Sequence, residues 1–236
     1  MVRTILFDLD GTLLPVDTDA FIKKYFEALA EHVAHLIPPE KLVAEVWAAT
    51  AAVMRNTDPR LTNAQVFAQA FFPAVGHDEA VLGPVFAEFY RTRFPALRTA
   101  FRGLPGIARS VVETALARGY EIVLATNPLF PRAAIEERMR WIEVDDLPWR
   151  LVTAYEDMHA CKPRPEYYRE VLARIGRAPE ECLMVGNDVQ EDGAAARVGI
   201  DVFFVTDYLI DREGRPLPPD RSGTLAEFRK RLEEGL

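Results

Sequence analysis

Five short runs of apolar residues constrain the fold of this 236-residue chain more than any other feature of its sequence. They lie at residues 4–7, 121–125, 151–154, 182–185 and 201–205. Nearly continuous apolar runs of this length are typical of strands that are buried on both faces of a parallel sheet. Helical patterns separate the later runs, and the pattern at residues 106–118 ends at Gly119, a common helix terminator. This alternation predicts an α/β fold built on a doubly wound parallel sheet.

Residues 16–97 break the alternation, because no run within them resembles a strand. Apolar residues from Ile22 to Leu36 recur at steps of three and four, which is the period of one helix face. Three further helical patterns follow, at residues 41–55, 63–72 and 79–93. We therefore predict two domains: an α/β core of residues 1–15 and 98–236, and a helical domain of residues 16–97 inserted into it.

The composition argues against several classes of protein. A formal net charge of −8 is unlike that of a dedicated nucleic-acid binder, which normally carries a basic excess. No apolar run approaches the length of a membrane span, and Asp8 interrupts the N-terminus where a signal peptide must stay apolar. Cys161 and Cys182 lack metal-binding spacing, and we expect no structural disulfide. We expect a cytoplasmic monomer or homodimer with neither nucleic acid nor membrane as partner.

Polar residues follow the predicted strands, at the points where the strands end. In open α/β sheets, ligands bind outside the carboxyl ends of the strands, so these residues are predicted to converge on one edge of the sheet. Along the chain they are Asp8 and Asp10, then Thr126 and Asn127, then Lys162 after a short loop, and finally Asp188 and Asp192.

The acids in this set suit phosphoryl transfer assisted by a metal ion. Asp8, Asp10 and Asp188 offer the hard oxygen ligands that Mg²⁺ prefers. A carboxylate at a strand end can attack phosphorus and form an aspartyl-phosphate, which is the role expected of Asp8. Asp10, two residues further on in a turning chain, is placed to donate a proton to a leaving oxygen and later to activate water.

The remaining residues suit phosphate binding. Thr126 can donate a hydrogen bond to a phosphoryl oxygen, and Asn127 follows it directly. Lys162 can neutralise both the phosphate and the nucleophile. Gly11 is expected to let the backbone approach the ligand closely.

Four motifs in this order resemble the haloacid dehalogenase-like hydrolases, most of which are Mg²⁺-dependent phosphatases. They are DLDGT at residues 8–12, LATN at 124–127, CKPRPEYY at 161–168 and VGNDVQED at 185–192. The resemblance implies that Asp8 is the nucleophile and Asp10 the acid and base, with the Asp10 backbone carbonyl on Mg²⁺. It also implies that Thr126 and Lys162 bind phosphate, that Asp188 completes the metal site, and that the helical domain is a mobile cap.

One motif departs from the family pattern. The family often has Gly-Asp where this chain has Gly186-Asn187-Asp188. We favour Asp188 as the direct metal ligand and Asp192 as an acid outside the ligand shell, oriented toward Lys162.

The sequence therefore predicts a Mg²⁺-dependent phosphatase that acts on a small phosphorylated metabolite. The dehalogenase branch of the family lacks an acid at the position of Asp10, which argues against dehalogenation. A sugar phosphomutase would share the same core residues. A phosphonate hydrolase would need a lysine from the cap, for which Lys23, Lys24 and Lys41 are the candidates. A non-catalytic protein that binds a phosphate ligand remains the alternative from another class.

The aromatic residues of the helical segment are interpreted mainly as the packed core of a helical bundle, with only one or two at the substrate pocket. They are Phe21, Tyr25, Trp47, Phe67, Phe71, Phe72, Phe86, Phe89 and Phe94.

Overall fold

The computed structural model describes residues 1–101, 106–214 and 216–235. Six strands form a single parallel sheet within these residues. In chain order they are β1 (Thr4–Phe7), β2 (Glu121–Leu124), β3 (Leu151–Val152), β4 (Cys182–Gly186), β5 (Asp201–Val205) and β6 (Ser222–Gly223). Their order across the sheet is β3-β2-β1-β4-β5-β6.

Strand β1 lies in the middle of the sheet, between β2 and β4. Phe7, its last residue, pairs with Leu124 of β2 and with Val185 of β4. The carboxyl ends of the three central strands therefore meet at one edge, and the chain that leaves β1 there begins with Asp8.

Both faces of the sheet are covered, as the apolar runs predicted. Ile5 and Phe7 pack into one apolar cluster, whereas Leu6 packs into a second cluster on the opposite face. The helices of this part of the chain are α5 (Ala108–Ala117), α6 (Arg132–Trp141), α7 (Pro165–Ile175) and α8 (Leu225–Glu234). The doubly wound α/β fold predicted from the alternation is confirmed.

Four α-helices lie between β1 and α5 in the described part of the chain. They are α1 (Thr18–Val33), α2 (Pro39–Arg55), α3 (Asn63–Val75) and α4 (Glu79–Thr92). Asp17 caps α1 by accepting a hydrogen bond from Ala20 N–H at 2.8 Å, and Thr62 and Gln65 form a capping box at the start of α3. The apolar cluster of the helical segment continues into the sheet face, because Phe94 stacks on Trp141 of α6 with ring centroids 5.5 Å apart.

Some predicted boundaries differ from the structure. The helix predicted at residues 63–72 continues through Pro73 and ends at Val75, three residues later than predicted. It is followed by Gly76 in the left-handed conformation. Strand β3 has two residues rather than four, and residues 192–198 form a 3₁₀-helix. Strand β6 was not predicted, because Ser222 and Gly223 carry no apolar pattern.

Two findings concern features expected to be absent. Cys161 and Cys182 are both free and buried. Within the described ranges, no helix combines the length and the apolar character that crossing a membrane requires.

Candidate active site

Lys162 lies at the centre of a buried ionic cluster below the carboxyl edge of the sheet. Its Nζ donates to Asp8 Oδ1 at 2.8 Å and to Asp192 Oδ1 at 2.6 Å, and its side chain is only 1% exposed. Burial alone would lower the pKa of Lys162, but Asp192 and Asp8 outweigh burial and hold it well above its usual value. The lysine is therefore charged, and it offsets the charges of two carboxylates that come from different strand ends.

Asp8 is anchored on one side and faces a cavity on the other. Its backbone N–H donates to Val185 O at 2.9 Å, which ties the end of β1 to β4. Its Oδ2 accepts a long hydrogen bond of 3.3 Å from the Thr12 hydroxyl, and the residue lines the cavity. The carboxylate is thus oriented by Lys162 while remaining accessible to a ligand.

Gly11 lies close to a side chain of the protein itself. Its φ is +80°, a conformation that favours glycine, and a Cβ at this position would lie 2.3 Å from Asn187 Nδ2. The close approach that the structure shows is therefore to the Asn187 side chain, which accepts a hydrogen bond from Thr12 Oγ1 at 3.0 Å.

Asp10 is paired with an arginine that the sequence reasoning missed. Arg138 of α6 donates from Nη1 to Asp10 Oδ2, and its guanidinium lies 4.5 Å from the Phe130 ring centroid. Asp10 Oδ1 is buried and has no hydrogen-bond partner among the described residues. Burial raises the pKa of Asp10 above its ordinary value, against the opposing effect of Arg138. A raised pKa is what a carboxyl group needs in order to donate a proton near neutral pH.

The sequence did contain a signal for Arg138. The buried face of α6 consists of Ala134, Ile135, Met139 and Trp141, and Arg138 shares that face. An arginine among apolar residues at helical spacing is rarely buried unless it has a partner. Nothing in the spacing, however, indicated that the partner is Asp10, which lies 128 residues away.

Thr126 and Asn127 lie at the end of β2, beside this cluster. Thr126 is buried and lines the cavity, while its carbonyl accepts hydrogen bonds from Tyr167 Oη at 2.9 Å and Thr153 Oγ1 at 2.7 Å. The Asn127 side chain accepts from Lys162 N–H at 3.2 Å and donates to Glu191 at 3.0 Å. The side-chain amide of Asn127, which was expected to contact phosphate, therefore binds the backbone at Lys162 and the Glu191 side chain instead.

Asp188 is also held by an arginine that was not predicted. Its Oδ1 accepts from Glu191 N–H at 2.8 Å, and Arg212 lies 2.9 Å from Oδ1 and 2.8 Å from Oδ2. Asp192 faces the other way, with Oδ2 accepting from Asp188 N–H at 2.9 Å and Oδ1 on Lys162.

Glu191, which the motifs did not single out, also lines the cavity. Burial is the main reason why its pKa rises to about 7, with Asp188 and Asp192 adding to the effect.

The donor set fits Mg²⁺ by residue type, although the carboxylates are not gathered around a single point. Across the described part of the chain, no three histidine, cysteine or acidic side chains form a ready metal cluster. Each acid instead contacts a cation: Asp8 contacts Lys162, Asp10 contacts Arg138 and Asp188 contacts Arg212. Asp8 and Asp188 both line the cavity and offer the hard oxygens that Mg²⁺ prefers.

A cavity of about 970 Å³ opens above these acids and extends between the sheet edge and the helical segment. We refer to Asp8, Asp10 and Asp192, which line the cavity, together with Arg138 and Lys162, which contact them, as the charged floor. We refer to the ten aromatic side chains that line the cavity, among the residues described, as the aromatic wall. They are Tyr25, Phe26, Trp47, Phe67, Phe71, Phe72, Phe86, Tyr90, Phe130 and Tyr155.

The aromatic wall corrects the interpretation of the helical segment. Of the nine aromatic residues assigned mainly to a bundle core, six line the cavity, whereas Phe21, Phe89 and Phe94 are buried away from it. A ring that faces a cavity and a ring that faces a core occupy the same helical spacing, so the pattern could not separate them.

A family model for haloacid dehalogenase-like hydrolases matches residues 2–199. The chain belongs to the haloacid dehalogenase-like hydrolases. The family that the four motifs predicted is therefore confirmed, and with it the expectation that the protein is an enzyme.

Several known proteins are similar to most of the length of this chain at low identity. Pyrophosphatase PpaX of Anoxybacillus flavithermus is 23% identical over 212 residues, which are 90% of this chain and 87% of that protein. The structure of a 2-haloacid dehalogenase from Pseudomonas syringae pv. Tomato is 19% identical, with a TM-score of 0.66 over 99% of each chain. The HAD-hydrolase YfnB from Bacillus subtilis, solved with bound magnesium, is 20% identical, with a TM-score of 0.55 over 98% of each chain. At these identities, the structural matches establish a common fold.

Proposed function

We propose that this hydrolase is a Mg²⁺-dependent phosphatase that acts on a small phosphorylated metabolite through an aspartyl-phosphate on Asp8. The observation that carries the proposal is the position of Asp8, which lines the cavity while one of its oxygens lies 2.8 Å from Lys162 Nζ. The ammonium group offsets the repulsion between the carboxylate and an incoming phosphate. The relative named as a pyrophosphatase supports chemistry at phosphorus.

In the proposed first step, an oxygen of Asp8 attacks phosphorus and the bond between phosphorus and the leaving oxygen breaks. Protonated Asp10 gives its proton to that leaving oxygen. In the second step, water attacks the same phosphorus, Asp10 takes a proton from the water, and the bond between phosphorus and Asp8 breaks. Inorganic phosphate leaves, and both carboxyl groups return to their starting states.

The other residues of the site bind and orient. Thr126 and Lys162 are proposed to bind the phosphoryl oxygens, with Gly11 and Asn127 beside them. Arg138 holds the Asp10 carboxylate in place and favours its ionised form, which the second step requires after the first step has used its proton.

Mg²⁺, when bound, would supply positive charge between the phosphate and Asp8. Asp8, Asp188 and the backbone carbonyl of Asp10 are the groups proposed to hold it. Asp192 would remain on Lys162 without touching the metal. Because both oxygens of Asp188 contact Arg212, the arginine would either share this carboxylate with the metal or move aside.

We further propose that residues 16–97 act as a cap that closes over Asp8. Helices α1 to α4 supply most of the aromatic wall, and the wall shares one continuous cavity with Asp8 and Asp10. Closure of such a segment would exclude water from the phosphoryl transfer step until the leaving group has departed.

A phosphonate hydrolase finds no support in the positions of the three cap lysines. Lys24 pairs with Glu27 at 2.7 Å on the surface, and Lys41 Nζ donates to Val75 O at 3.1 Å. Neither of them, nor Lys23, is among the described residues that line the cavity.

The proposal is tested by phosphate release from 4-nitrophenyl phosphate, measured with Mg²⁺ and with a chelator for the wild-type protein and Asp8→Asn. We expect turnover that requires Mg²⁺ and falls by at least about 10³-fold in Asp8→Asn, as is typical when a nucleophile is removed. Metal-dependent turnover would also exclude a purely binding function. Full activity of Asp8→Asn would reject Asp8 as nucleophile, and halide release from a 2-haloacid without phosphate release would reject the phosphatase assignment.

A further inference from the structure

We propose that the leaving group of the natural substrate is bulky and apolar, so that the substrate is a phosphate ester of an aromatic or similarly large apolar alcohol. This inference rests on the proposed phosphatase function and names its substrate class. It is carried by the aromatic wall, which shares one cavity with the nucleophile.

Several rings of the wall have apolar faces that the protein itself does not cover. Trp47 is 50% exposed although it lines the cavity, and Phe26, its neighbour at 5.6 Å between ring centroids, is only partly buried. Phe67, Phe72 and Phe86 are likewise partly buried. Phe89, on the same helix as Phe86, is fully buried, so the segment can cover a ring completely where the ring belongs to the core. Rings left open to a cavity gain free energy when an apolar ligand covers them.

The charged side chains that line the cavity argue against a strongly anionic leaving group. Among the described residues of the helical segment, those that line the cavity and carry charge are Asp19, Glu79 and Arg91. All three are exposed, and two of the three are acidic. Two further arginines outside the helical segment line the cavity, and both are paired: Arg140 lies 2.8 Å from Glu137 and Arg212 lies 2.8 Å from Asp188. Among the described residues of the whole lining, ten acids face three arginines. The second phosphate of inorganic pyrophosphate or the carboxylate of a small acid would therefore meet a mostly acidic lining. In this respect the chain differs from what the name of its pyrophosphatase relative would suggest.

The size of the cavity agrees with this assignment. About 970 Å³ lies at the upper end of the range typical of pockets that enclose a drug-sized ligand. A phosphoryl group at Asp8 would leave most of this volume to the leaving group, and the aromatic wall surrounds that volume.

The first test compares three substrates at saturating Mg²⁺: 2-phenylethyl phosphate, glycerol 1-phosphate and inorganic pyrophosphate. The two esters release primary alcohols, so the comparison reports on the cavity more than on leaving-group chemistry. We expect kcat/KM for 2-phenylethyl phosphate to exceed that for either other substrate by roughly tenfold or more, as apolar pockets discriminate by this amount. Equal rates, or a preference for glycerol 1-phosphate or pyrophosphate, would overturn the inference and leave the phosphatase proposal standing.

Variants locate the preference in the wall. Phe86→Ala should lower kcat/KM for 2-phenylethyl phosphate by roughly tenfold more than that for ethyl phosphate, whereas Phe86→Leu should retain part of the difference. The matched control is Val81→Ala, since Val81 lies on the same helix, is 52% exposed and does not line the cavity. A preference that survives both Phe86→Ala and Trp47→Ala would overturn the assignment to this wall.

A binding measurement separates failure of this inference from failure of the proposed function. Calorimetric titration of the Asp8→Asn protein with 2-phenylethyl phosphate and with glycerol 1-phosphate requires no turnover. Tighter binding of the aromatic ester, together with no hydrolysis of any ester by wild type, would support the substrate class and reject the phosphatase. Equal or weaker binding of the aromatic ester would reject the substrate class, whatever the rates.

Discussion

The charged floor and the aromatic wall enclose one cavity but are built on opposite principles. In the floor, each carboxylate is held within hydrogen-bond distance of a cation, so its geometry is fixed by charges that are costly to separate. In the wall, rings border open space and contact one another, as where Phe67 stacks on Phe71 with ring centroids 5.2 Å apart, and no ion pair joins them. The difference indicates that the floor determines which reaction can occur, whereas the wall determines which molecule undergoes it.

The substitution expected to disrupt the charged floor most is Lys162→Met. This change keeps the length of the side chain but leaves Asp8 and Asp192 buried without their cation. Breaking a buried ion pair by removing one partner costs about 3–5 kcal/mol of folding free energy. We expect a loss of that order in urea unfolding, together with loss of turnover beyond about 10²-fold.

The matched control for this prediction is Lys24→Met, which removes the same group from an exposed pair with Glu27 on α1. Exposed pairs of this kind contribute little, so stability and turnover should stay near wild type. Equal destabilisation by the two variants would show that Lys162 has no special role in holding the floor together.

The second prediction asks which acid of the fourth motif binds Mg²⁺. Asp188→Asn should raise the Mg²⁺ concentration for half-maximal activity by more than about 100-fold. Asp192→Asn should raise it by only about tenfold, which is typical of a residue that orients the ligands. Thermal unfolding with and without Mg²⁺ gives a second readout, because a metal that binds only the folded protein raises the unfolding temperature. The opposite order of the two variants would show that Asp192, and not Asp188, is the ligand.

The third prediction uses Arg138 to separate the two chemical steps. Arg138→Met keeps an apolar stem against Phe130 but removes the cation that favours ionised Asp10. Since burial already raises the pKa of Asp10, the carboxyl group should then regain a proton from solvent after the first step and fail as a base in the second. We expect a burst of released alcohol followed by phosphate release that is slower by about 10²-fold.

Two variants test whether the burst reflects the effect of Arg138 on the second step. Arg138→Lys should restore part of the rate, since it returns the charge. Arg132→Met, at the partly buried start of the same helix, removes an arginine that pairs with Asp157 instead of Asp10 and should keep both steps near wild type. If alcohol and phosphate release slow equally in Arg138→Met, then Arg138 acts on the first step or on folding instead.

The floor was largely predictable from the sequence because its residue types are exceptional where they occur. Asp8 directly follows a strand whose four residues are all fully buried, and a carboxylate in that position has few structural reasons to exist. The parallel order of the strands then brings Thr126, Lys162 and Asp192 to the same edge. Two arginine partners were missed: Arg138 of helix α6, which pairs with Asp10, and Arg212 of the loop after β5, which pairs with Asp188. Arginine on a helix or loop is normally solvated, and no local sequence pattern indicates a distant partner.

The wall and the sheet edges were less predictable for a related reason. Periodicity reports which helix face avoids water, and it does not distinguish a core from a cavity. Strand β3 is only two residues long, and directly after it the Thr153 hydroxyl donates to Thr126 O at 2.7 Å, a contact that no local pattern in the sequence predicts. The boundaries were accurate where burial is complete, as in β1, and weaker where an element lies at an edge.

The smallest predicted effect compares how the two regions respond to alkaline pH. Lys162 keeps its proton because its pKa is held well above its ordinary value, whereas the wall contains Tyr25 and Tyr90, whose hydroxyl oxygens lie 2.8 Å apart. Burial raises the pKa of Tyr25 to about 12.

Above pH ~10 an unfolded tyrosine ionises while the buried one stays neutral, so folding stability falls as pH rises from about 10 toward 12. Tyr25→Phe removes the hydroxyl and, with it, the part of this pH dependence that comes from Tyr25. Between pH 9 and pH 11, the unfolding free energy in urea should therefore decrease in wild type by about 1 kcal/mol more than in Tyr25→Phe. Tyr208→Phe, at an exposed tyrosine outside the cavity, is the control and should follow wild type. An identical fall in Tyr25→Phe and wild type would mean that the hydroxyl is already hydrated in the folded protein, and that the wall is wetter than an apolar substrate site requires.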